Sequence, residues 1–427
     1  MAKEKQKIPP GYKQTEIGVI PKDWEVKNIE SFTPQGKKYG IVDGPFGSNL
    51  KTEHYRKSGI PIITSGYVTD GKFFADEYLY VDKEKFKQEK RSAVRGGDII
   101  MAKIGARCGA SAILPKNHPE GILSGNALKI TIDENKFSTF FVWQILWNLY
   151  VKGDLELLKT TGAQPALSMA NLKKFQIAVP ETKTEQDIIA DVLLDFNALV
   201  SKLESLIDKK KLIKQGAMQE LLTGKRRLPG FGGKWQIKKL GEVADFERGQ
   251  GLSKSDLKDN GIYKCIHYGQ LFTGYKELIK EIFSKTDVAD NHFYSKTNDV
   301  LMPTSDVTPR GLATASCIKE NGIMLGGGIM VIRLHPEYDG VFLSYFITQN
   351  KNAVLKFVKG STVFHLYASD ITNFEIKFPE LKEQTAIANI LSDMDAEIEK
   401  LESQLAKYQS IKQGMMQTLL TGRIRLV

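Results

Sequence analysis

"IKQGAMQELLTG" spans Ile213–Gly224, and "IKQGMMQTLLTG" spans Ile411–Gly422. The match extends backwards without a gap. "EQDIIADVLLDFNALVSKLESLIDKKKLIKQGAMQELLTGKRRL" from Glu185 lies on "EQTAIANILSDMDAEIEKLESQLAKYQSIKQGMMQTLLTGRIRL" from Glu383, with roughly half the positions identical, far above chance for an internal comparison. Just upstream of each copy stands an alternating run stopped by proline, "FQIAVP" ending at Pro180 and "FEIKFP" ending at Pro379, the pattern of a strand. The repeated motif is strand, proline, long helix.

Fainter correspondences reach further upstream. "KDWEVKNI" around Trp24 resembles "GKWQIKKL" around Trp235, "GDIIMAK" at Gly97 resembles "NDVLMPT" at Asn298, and Gly121–Gly125 falls on Gly322–Gly326. The tryptophans are 211 residues apart and the helix copies 198, so the domains differ in length as well as wording. Two copies of one unit follow, each a mixed domain and then a helix, with divergence in the domains and sameness in the helices. After the first "LLTG", "KRRLPGFGGKW" leads into the second domain; after the second stands only "RIRLV", while the chain opens with "GYKQTEIGVIPKDW". The N-terminal segment reads as the continuation of the C-terminal one. The expected fold is α+β: two pseudo-two-fold-related mixed α/β domains separated by two long antiparallel coiled-coil helices, in a pseudo-circular arrangement with the termini close together. The expected boundaries are 1–181, 182–226, 227–380 and 381–427.

Ile189, Leu193, Phe196, Val200, Leu203 and Ile207 recur at spacings of four and three, as do Ile387, Leu391, Met394, Ile398, Leu401, Leu405 and Tyr408, which is a coiled-coil seam. Thr182 with Glu185 has the spacing of a capping box, and Gly224 and Gly422 stand where a C′ glycine ends a helix. A helix from Glu185 to Leu222 would be roughly 55 Å long, the length of about 16 base pairs of B-DNA. Identity also extends to polar positions off the seam. Lys202, Glu204, Lys214, Gln215 and Gln219 match Lys400, Glu402, Lys412, Gln413 and Gln417, and a merely solvated face has no need to repeat its wording. These residues form a candidate docking surface for two copies of one partner protein. The Lys209, Lys210, Lys211 cluster reads as solvated surface.

Sixty Lys and Arg against fifty Asp and Glu give a formal charge of +10 and a pI near 9.1, which favours a polyanionic partner. Cys108, Cys265 and Cys317 are few, odd in number and far apart, so neither a disulfide framework nor a CxxC metal site is indicated. The N-terminus has no apolar core of signal-peptide length, and no run of about 18 apolar residues is present. The expected location is cytoplasmic.

Basic, polar and aromatic residues gather on stretches that read as loops. In the first domain "DGPFGSNLKTEHYRKSG" offers Asn49, Lys51, Tyr55, Arg56 and Lys57, "AKIGARCGAS" adds Lys103 and Arg107, and "TTGAQPALS" adds Gln164. In the second, "ERGQGLSKSDLKDNG" offers Arg248, Gln250, Ser253, Lys254 and Lys258, "MPTSDVTPRG" adds Thr304, Ser305, Asp306 and Arg310, and "GSTVFHLYASD" adds His365 and Tyr367. Arg, Lys, Gln, Asn and Ser read base edges, and the cations also neutralise phosphates. Any one of these could be ordinary loop surface; as a set they describe two diverged reading heads on a repeated spacer. The glycine loop of the first domain has no copy in the second, and Gln164 has no glutamine counterpart.

Catalytic motifs are missing. There is no G-x-x-x-x-G-K-S/T phosphate loop, no G-x-G-x-x-G after a strand, no H-E-x-x-H, no G-x-S-x-G, and no Asn/Asp-Pro-Pro-aromatic tetrapeptide of the kind that holds a flipped base. The six histidines are scattered, none paired with cysteine at metal-ligand spacing. A non-catalytic chain without a metal site is expected.

"IGVIPKDWEV", "GPFGSNLK", "FQIAVPETKTEQDIIADVL" with "FEIKFPELKEQTAIANIL", and the two "KQGxMQxLLTG" tails together resemble the specificity subunit of type I restriction-modification systems, over essentially the whole chain. The resemblance implies two target recognition domains, each reading one half of a bipartite asymmetric DNA site, with helices that set the half-site spacing and bind two modification subunits. S-adenosylmethionine, ATP and Mg would then belong to modification and restriction subunits rather than to this chain. The competing readings are a coiled-coil scaffold that binds only proteins, and a self-contained methylating nuclease, which the missing motifs disfavour.

Overall fold

The computed structural model describes residues 8–36, 38–160, 164–289 and 293–426. They form two compact units: one drawn from Met1–Lys202 with Leu405–Val427, the other from Leu203–Gln404. Each unit therefore contains one mixed domain, the first half of the long helix that follows it, and the second half of the other long helix. The helices are Lys183–Leu221 and Leu381–Leu419, each 39 residues.

The first unit is built on an antiparallel four-stranded sheet in the order Ser111–Ile113, Ile99–Ala102, Ala127–Ile130, Ile41–Asp43. A second sheet pairs Ile60–Ile63 in parallel with Gly121–Leu123. The second unit repeats this plan. Ser316–Ile318, Val300–Pro303, Ile329–Leu334 and Ala244–Arg248 lie in the same order, and Tyr263–Ile266 runs parallel to Met324–Leu325. Ile99–Ala102 and Val300–Pro303 are buried along their whole length, which is why both read as unbroken apolar runs rather than alternations. In each unit the strand before the long helix pairs with the strand that carries the tryptophan: Gln176–Pro180 with Trp24–Asn28, and Glu375–Phe378 with Gln236–Lys239.

The Glu-Gln pair that opens each long helix is a clasp. In the second unit the buried Glu383 accepts from Arg227 Nε and Nη2, both at 2.7 Å, and from Trp235 Nε1 at 3.2 Å. In the first unit Glu185 accepts from Arg425 Nη2 at 2.7 Å and from Trp24 Nε1 at 3.4 Å, and Arg425 also bonds both oxygens of Asp23 at 2.8 Å. A bidentate guanidinium-carboxylate pair this deep holds its place because further hydrogen bonds share the carboxylate. The neighbouring glutamine joins domain to helix. Gln186 accepts from Ser138 N and donates to Pro180 O; Gln384 accepts from Asp339 N and donates to Pro379 O. Ser138 and Asp339 precede the buried domain helices Thr139–Lys152 and Gly340–Gln349.

The expected capping box at Thr182 is only half present. Glu185 N reaches Thr182 Oγ1 at 3.4 Å, but the carboxylate that would complete the box is committed to Arg425. Both helices end as their sequence dictates, on glycines in the left-handed conformation, Gly224 at φ +69° and Gly422 at φ +68°. Beyond Gly422 the chain returns to its own beginning: Tyr12 Oη donates to Gly422 O at 3.0 Å. Leu419 and Leu420 are buried in the first unit's core with Ile189 and Leu193, and Leu221 and Leu222 in the second unit's core with Ile387 and Leu391. Each fully buried leucine contributes roughly 1.5–3 kcal/mol.

Along the seam Ile189, Leu193, Val200, Leu203, Ile207, Ile387, Leu391 and Ile398 are buried, while Phe196, Met394, Leu401, Leu405 and Tyr408 are half-buried. In the lysine cluster Lys209 and Lys211 are exposed as expected and Lys210 is half-buried; within the second unit Lys210 pairs with Glu397 and Lys211 with Glu402 at the surface. Lys211 on Glu402 and Lys214 on Asp395 run in opposite senses along the two helices, as an antiparallel pairing requires. Among the described residues no helix is long and apolar enough to cross a membrane.

Candidate nucleic-acid interface

The main sheet of each unit, four-stranded in the first and extended to five in the second by Leu278–Ile279, ends in converging loops, and most candidate residues lie there. In the first unit Lys103 leaves its strand and donates from Nζ to Asp43 at 2.6 Å, lying 4.3 Å over the ring of Phe46. Its backbone fastens two further loops, N to Asn126 O and O to Leu167 N. Gly105 N bonds Pro165 O, which sets exposed Gln164 beside the same cluster. Exposed Arg107 donates to Val68 O at 3.0 Å. The Lys103 side chain is therefore engaged within the loop cluster, while Asn49 and Gln164 present their side chains outward.

Tyr55, Arg56 and Lys57 go elsewhere. Tyr55 packs on the second sheet with Ile62 and Val81, and Arg56 pairs with Asp82 at 3.0 Å. Lys51 and Lys57 are exposed, and Lys51 N is capped by His54 Nδ1 at 3.0 Å.

The second unit builds the same cluster. Gly249 N bonds Ile329 O, Gln250 N bonds Leu325 O, Thr304 N bonds Gly328 O, and Leu366 N bonds Thr304 O. Ser305 pairs with His365 across a short ladder, and the His365 ring stacks on the exposed Tyr367 ring at 5.8 Å. Thr304 is held by Gly328 O at 3.1 Å, Ser253 is tied to Asp256 at 2.7 Å, and Lys258 pairs with Asp287 at 2.8 Å. Asp306 accepts from Thr308 Oγ1. Arg248, Gln250, Lys254 and Arg310 are exposed.

One expectation is corrected. The glycine loop of the first domain does have a counterpart, "RGQG" at Arg248–Gly251. A Cβ on Gly44 would stand 2.0 Å from Ser124 O, and one on Gly249 would stand 2.2 Å from Gly326 O. Gly47 and Gly251 share a positive φ, +57° and +60°. The correspondence lies in backbone approach, which only glycine permits, and not in the letters around it. Sequence reasoning also missed Phe46, Asn126, His267 and Tyr268. His267 stands 4.6 Å from the Tyr268 ring, and burial followed by the charge of Lys254 pushes its pKa below the ordinary value, favouring the neutral imidazole. Its signal was present in "CIHYGQ", a polar aromatic pair directly after a strand.

Of the candidate docking residues, Lys202, Glu204, Gln215, Gln219, Lys400, Gln413 and Gln417 are exposed, and Lys412 is half-buried. Lys214 and Glu402 are among those engaged within the chain. Lys214 bonds Asp395 at 2.6 Å beneath Tyr345, whose hydroxyl also donates to Asp395, and Glu402 takes Lys211. Burial and the adjoining carboxylate push the Tyr345 hydroxyl pKa upward. Among the described residues no group of three His, Cys, Asp or Glu is placed to hold a metal ion.

The sequence model of the family described as type I restriction modification DNA specificity domain matches residues 21–215 and 232–408. Two relatives come from Methanocaldococcus jannaschii. A protein described as the candidate specificity subunit of the type I restriction enzyme MjaX is 25% identical, with 97% of both chains covered. The type I restriction enzyme MjaVIII specificity subunit is 24% identical, covering 95% of this chain and 94% of its own. In fold the chain is similar to the type I restriction-modification S subunit of M. genitalium, with TM-score 0.59, 14% identity and coverage of 93% and 96%. It is also similar to a chain solved in a study of complex assembly and conformational transition of the type I R-M system, with TM-score 0.53, 16% identity and coverage of 95% and 99%.

Proposed function

The chain belongs to the type I restriction-modification DNA specificity family, whose members are specificity subunits rather than catalysts, and on that premise we propose how this chain divides its work. It recognises DNA sequence through two recognition domains. The loop cluster of the first unit reads one half of a bipartite asymmetric site, and that of the second unit reads the other. Asn49, Arg107 and Gln164 contact DNA in the first, and Arg248, Gln250, Lys254, Arg310, His365 and Tyr367 in the second. Tyr55, Arg56, Lys103, Ser253, Lys258, Thr304 and Ser305 act mainly by holding the loops that carry them. The long helices set the spacing between half-sites, and their repeated exposed face docks two modification subunits. S-adenosylmethionine chemistry would be supplied by those subunits, and ATP and Mg by restriction subunits, with the assembly acting in the cytoplasm.

One observation carries this reading: two clusters, each built on its own unit's sheet of the same strand order and held by equivalent glycines and backbone bonds, differ in nearly every outward side chain. Equal scaffolds with unequal faces suit the reading of two different sequences. Co-expression with a cognate modification subunit, followed by mapping of methylated adenines across the host genome by single-molecule sequencing, tests it. A single two-part motif with a fixed gap is expected. A stable complex with no motif would favour a protein-only scaffold.

A further inference from the structure

The repeated glutamines lie on one ridge of each helix. Gln215, Gln219 and Thr223 are spaced by four, as are Gln413, Gln417 and Thr421, so each set occupies one face over successive turns. Thr223 Oγ1 folds back onto Gln219 O at 2.7 Å and Thr421 Oγ1 onto Gln417 O at 2.6 Å. Each ridge therefore ends on the methyl side of a threonine whose hydroxyl is already satisfied.

At that point both units open into a groove. In the first unit it encloses about 760 Å³ over Ile145, Ile177 and Leu420 beside Thr421. In the second it encloses about 270 Å³ over Phe346, Ile376 and Leu222 beside Thr223. These are equivalent places: Leu222 and Leu420 hold the same position in the repeated "LLTG", and Ile177 and Ile376 lie on the strands preceding the long helices. The lips are apolar and open, with Leu157 87% exposed in the first and Ile237 59% exposed in the second. Charge distinguishes them. Lys152, Lys174 and Arg423 against Asp154 line the first groove, while one cation, Lys377, and one carboxylate, Glu375, line the second. The larger groove owes one wall to the hairpin Tyr12–Pro21, including Ile17 and Val19.

We propose that each groove receives an apolar anchor, flanked by a carboxylate, from one modification subunit whose polar face pairs with the adjoining glutamine ridge. The inference rests on the reading that two modification subunits dock on this chain, and it says where each is seated. Three things support it: the groove occurs twice at equivalent positions, it continues the repeated exposed ridge, and the cationic lining of the first groove complements a carboxylate. Apolar burial supplies the affinity, and the charge supplies registration and salt sensitivity. The first groove, larger and more cationic, is the tighter site.

The test is titration calorimetry of the full-length chain with purified modification subunit, at low and high salt, using Leu157→Asp, Ile237→Asp and the double variant. Both side chains are exposed, so the variants keep the wild-type circular dichroism and melting temperature. Wild type is expected to take up two subunits with unequal affinity. Leu157→Asp weakens the tighter, salt-sensitive site at least tenfold, Ile237→Asp weakens the other, and the double variant loses both. Wild-type binding by the double variant overturns the grooves as seats while leaving the two-subunit reading intact. Failure of the wild-type chain to bind the subunit at all overturns that reading as well. Sedimentation of the chain alone supplies a further arm: self-association abolished by the same substitutions would assign the grooves to a second copy and overturn the proposal.

Discussion

Glu185 and Glu383 begin their helices with the same letter pair, and each closes an arginine and a tryptophan onto a buried carboxylate. Replacing Glu185 by Ala leaves Arg425 and the Trp24 indole N–H without their shared acceptor. Urea unfolding should then show a loss on the order of 3 kcal/mol. A change within a few tenths would mean that the clasp adds no stability. Asp23 offers a second readout. Its hydrogen bond from Arg425 is the largest influence on it and holds its pKa below the ordinary 3.8. A depressed carboxylate adds stability above its unfolded value and loses it as pH falls through the lower folded-state value, so the contribution is complete above about pH 4 and fades in acid. In an NMR titration Arg425→Ala should return Asp23 toward 3.8, and an unmoved value would show that something other than Arg425 depresses it. The repeat made both glutamates and glutamines visible in the sequence, but not their purpose. Arg425 is 240 residues from Glu185, and no local pattern announces such a partner.

The helices were the most legible elements, because their seam, length and terminal glycines are written locally. What the seam did not reveal is that each helix divides its loyalty: the first half packs with the preceding domain and the second half with the other. The charges show the same limit. Lys214 meets Asp395 and Tyr345, whereas the residues that align with those two in the other copy are Asn197 and Gln144. The repeated lysine is thus matched by a carboxylate and a phenol in one copy and by two amides in the other. If the helices are the spacer, removing seven residues between Ile189 and Leu212, with the matching seven of the C-terminal helix, shortens it by about 10 Å. Methylome mapping should then report the same two half-sequences with a gap shorter by about three base pairs. An unchanged gap would sink the spacer.

At the scale of the molecule, unit-by-unit equivalence reaches deeper than wording does. The two sheets share order and register logic while their loops share almost nothing but glycines. This is why the two-domain plan could be read from the sequence and the glycine correspondence at Gly44 and Gly249 could not: it depends on a carbonyl across the gap. Exchanging the second domain, from Trp235 to Pro379, with that of a relative should alter one half of the recognised sequence and leave the other. Alteration of both halves would refute independent reading heads.

The clasp of Arg425 and the burial of Leu419 and Leu420 in the first unit also bear on the order of synthesis. A ribosome makes the first domain early, but its core awaits helix turns and an arginine that emerge only after residue 404. The second unit is continuous from Leu203 to Gln404 and has all its parts sooner. The expected order is therefore the reverse of the usual vectorial one, in which the N-terminal domain folds first. Nascent chains stalled with Gln404 clear of the exit tunnel should resist protease across the second unit while the first remains open to cleavage, so the domain translated first is the last to close.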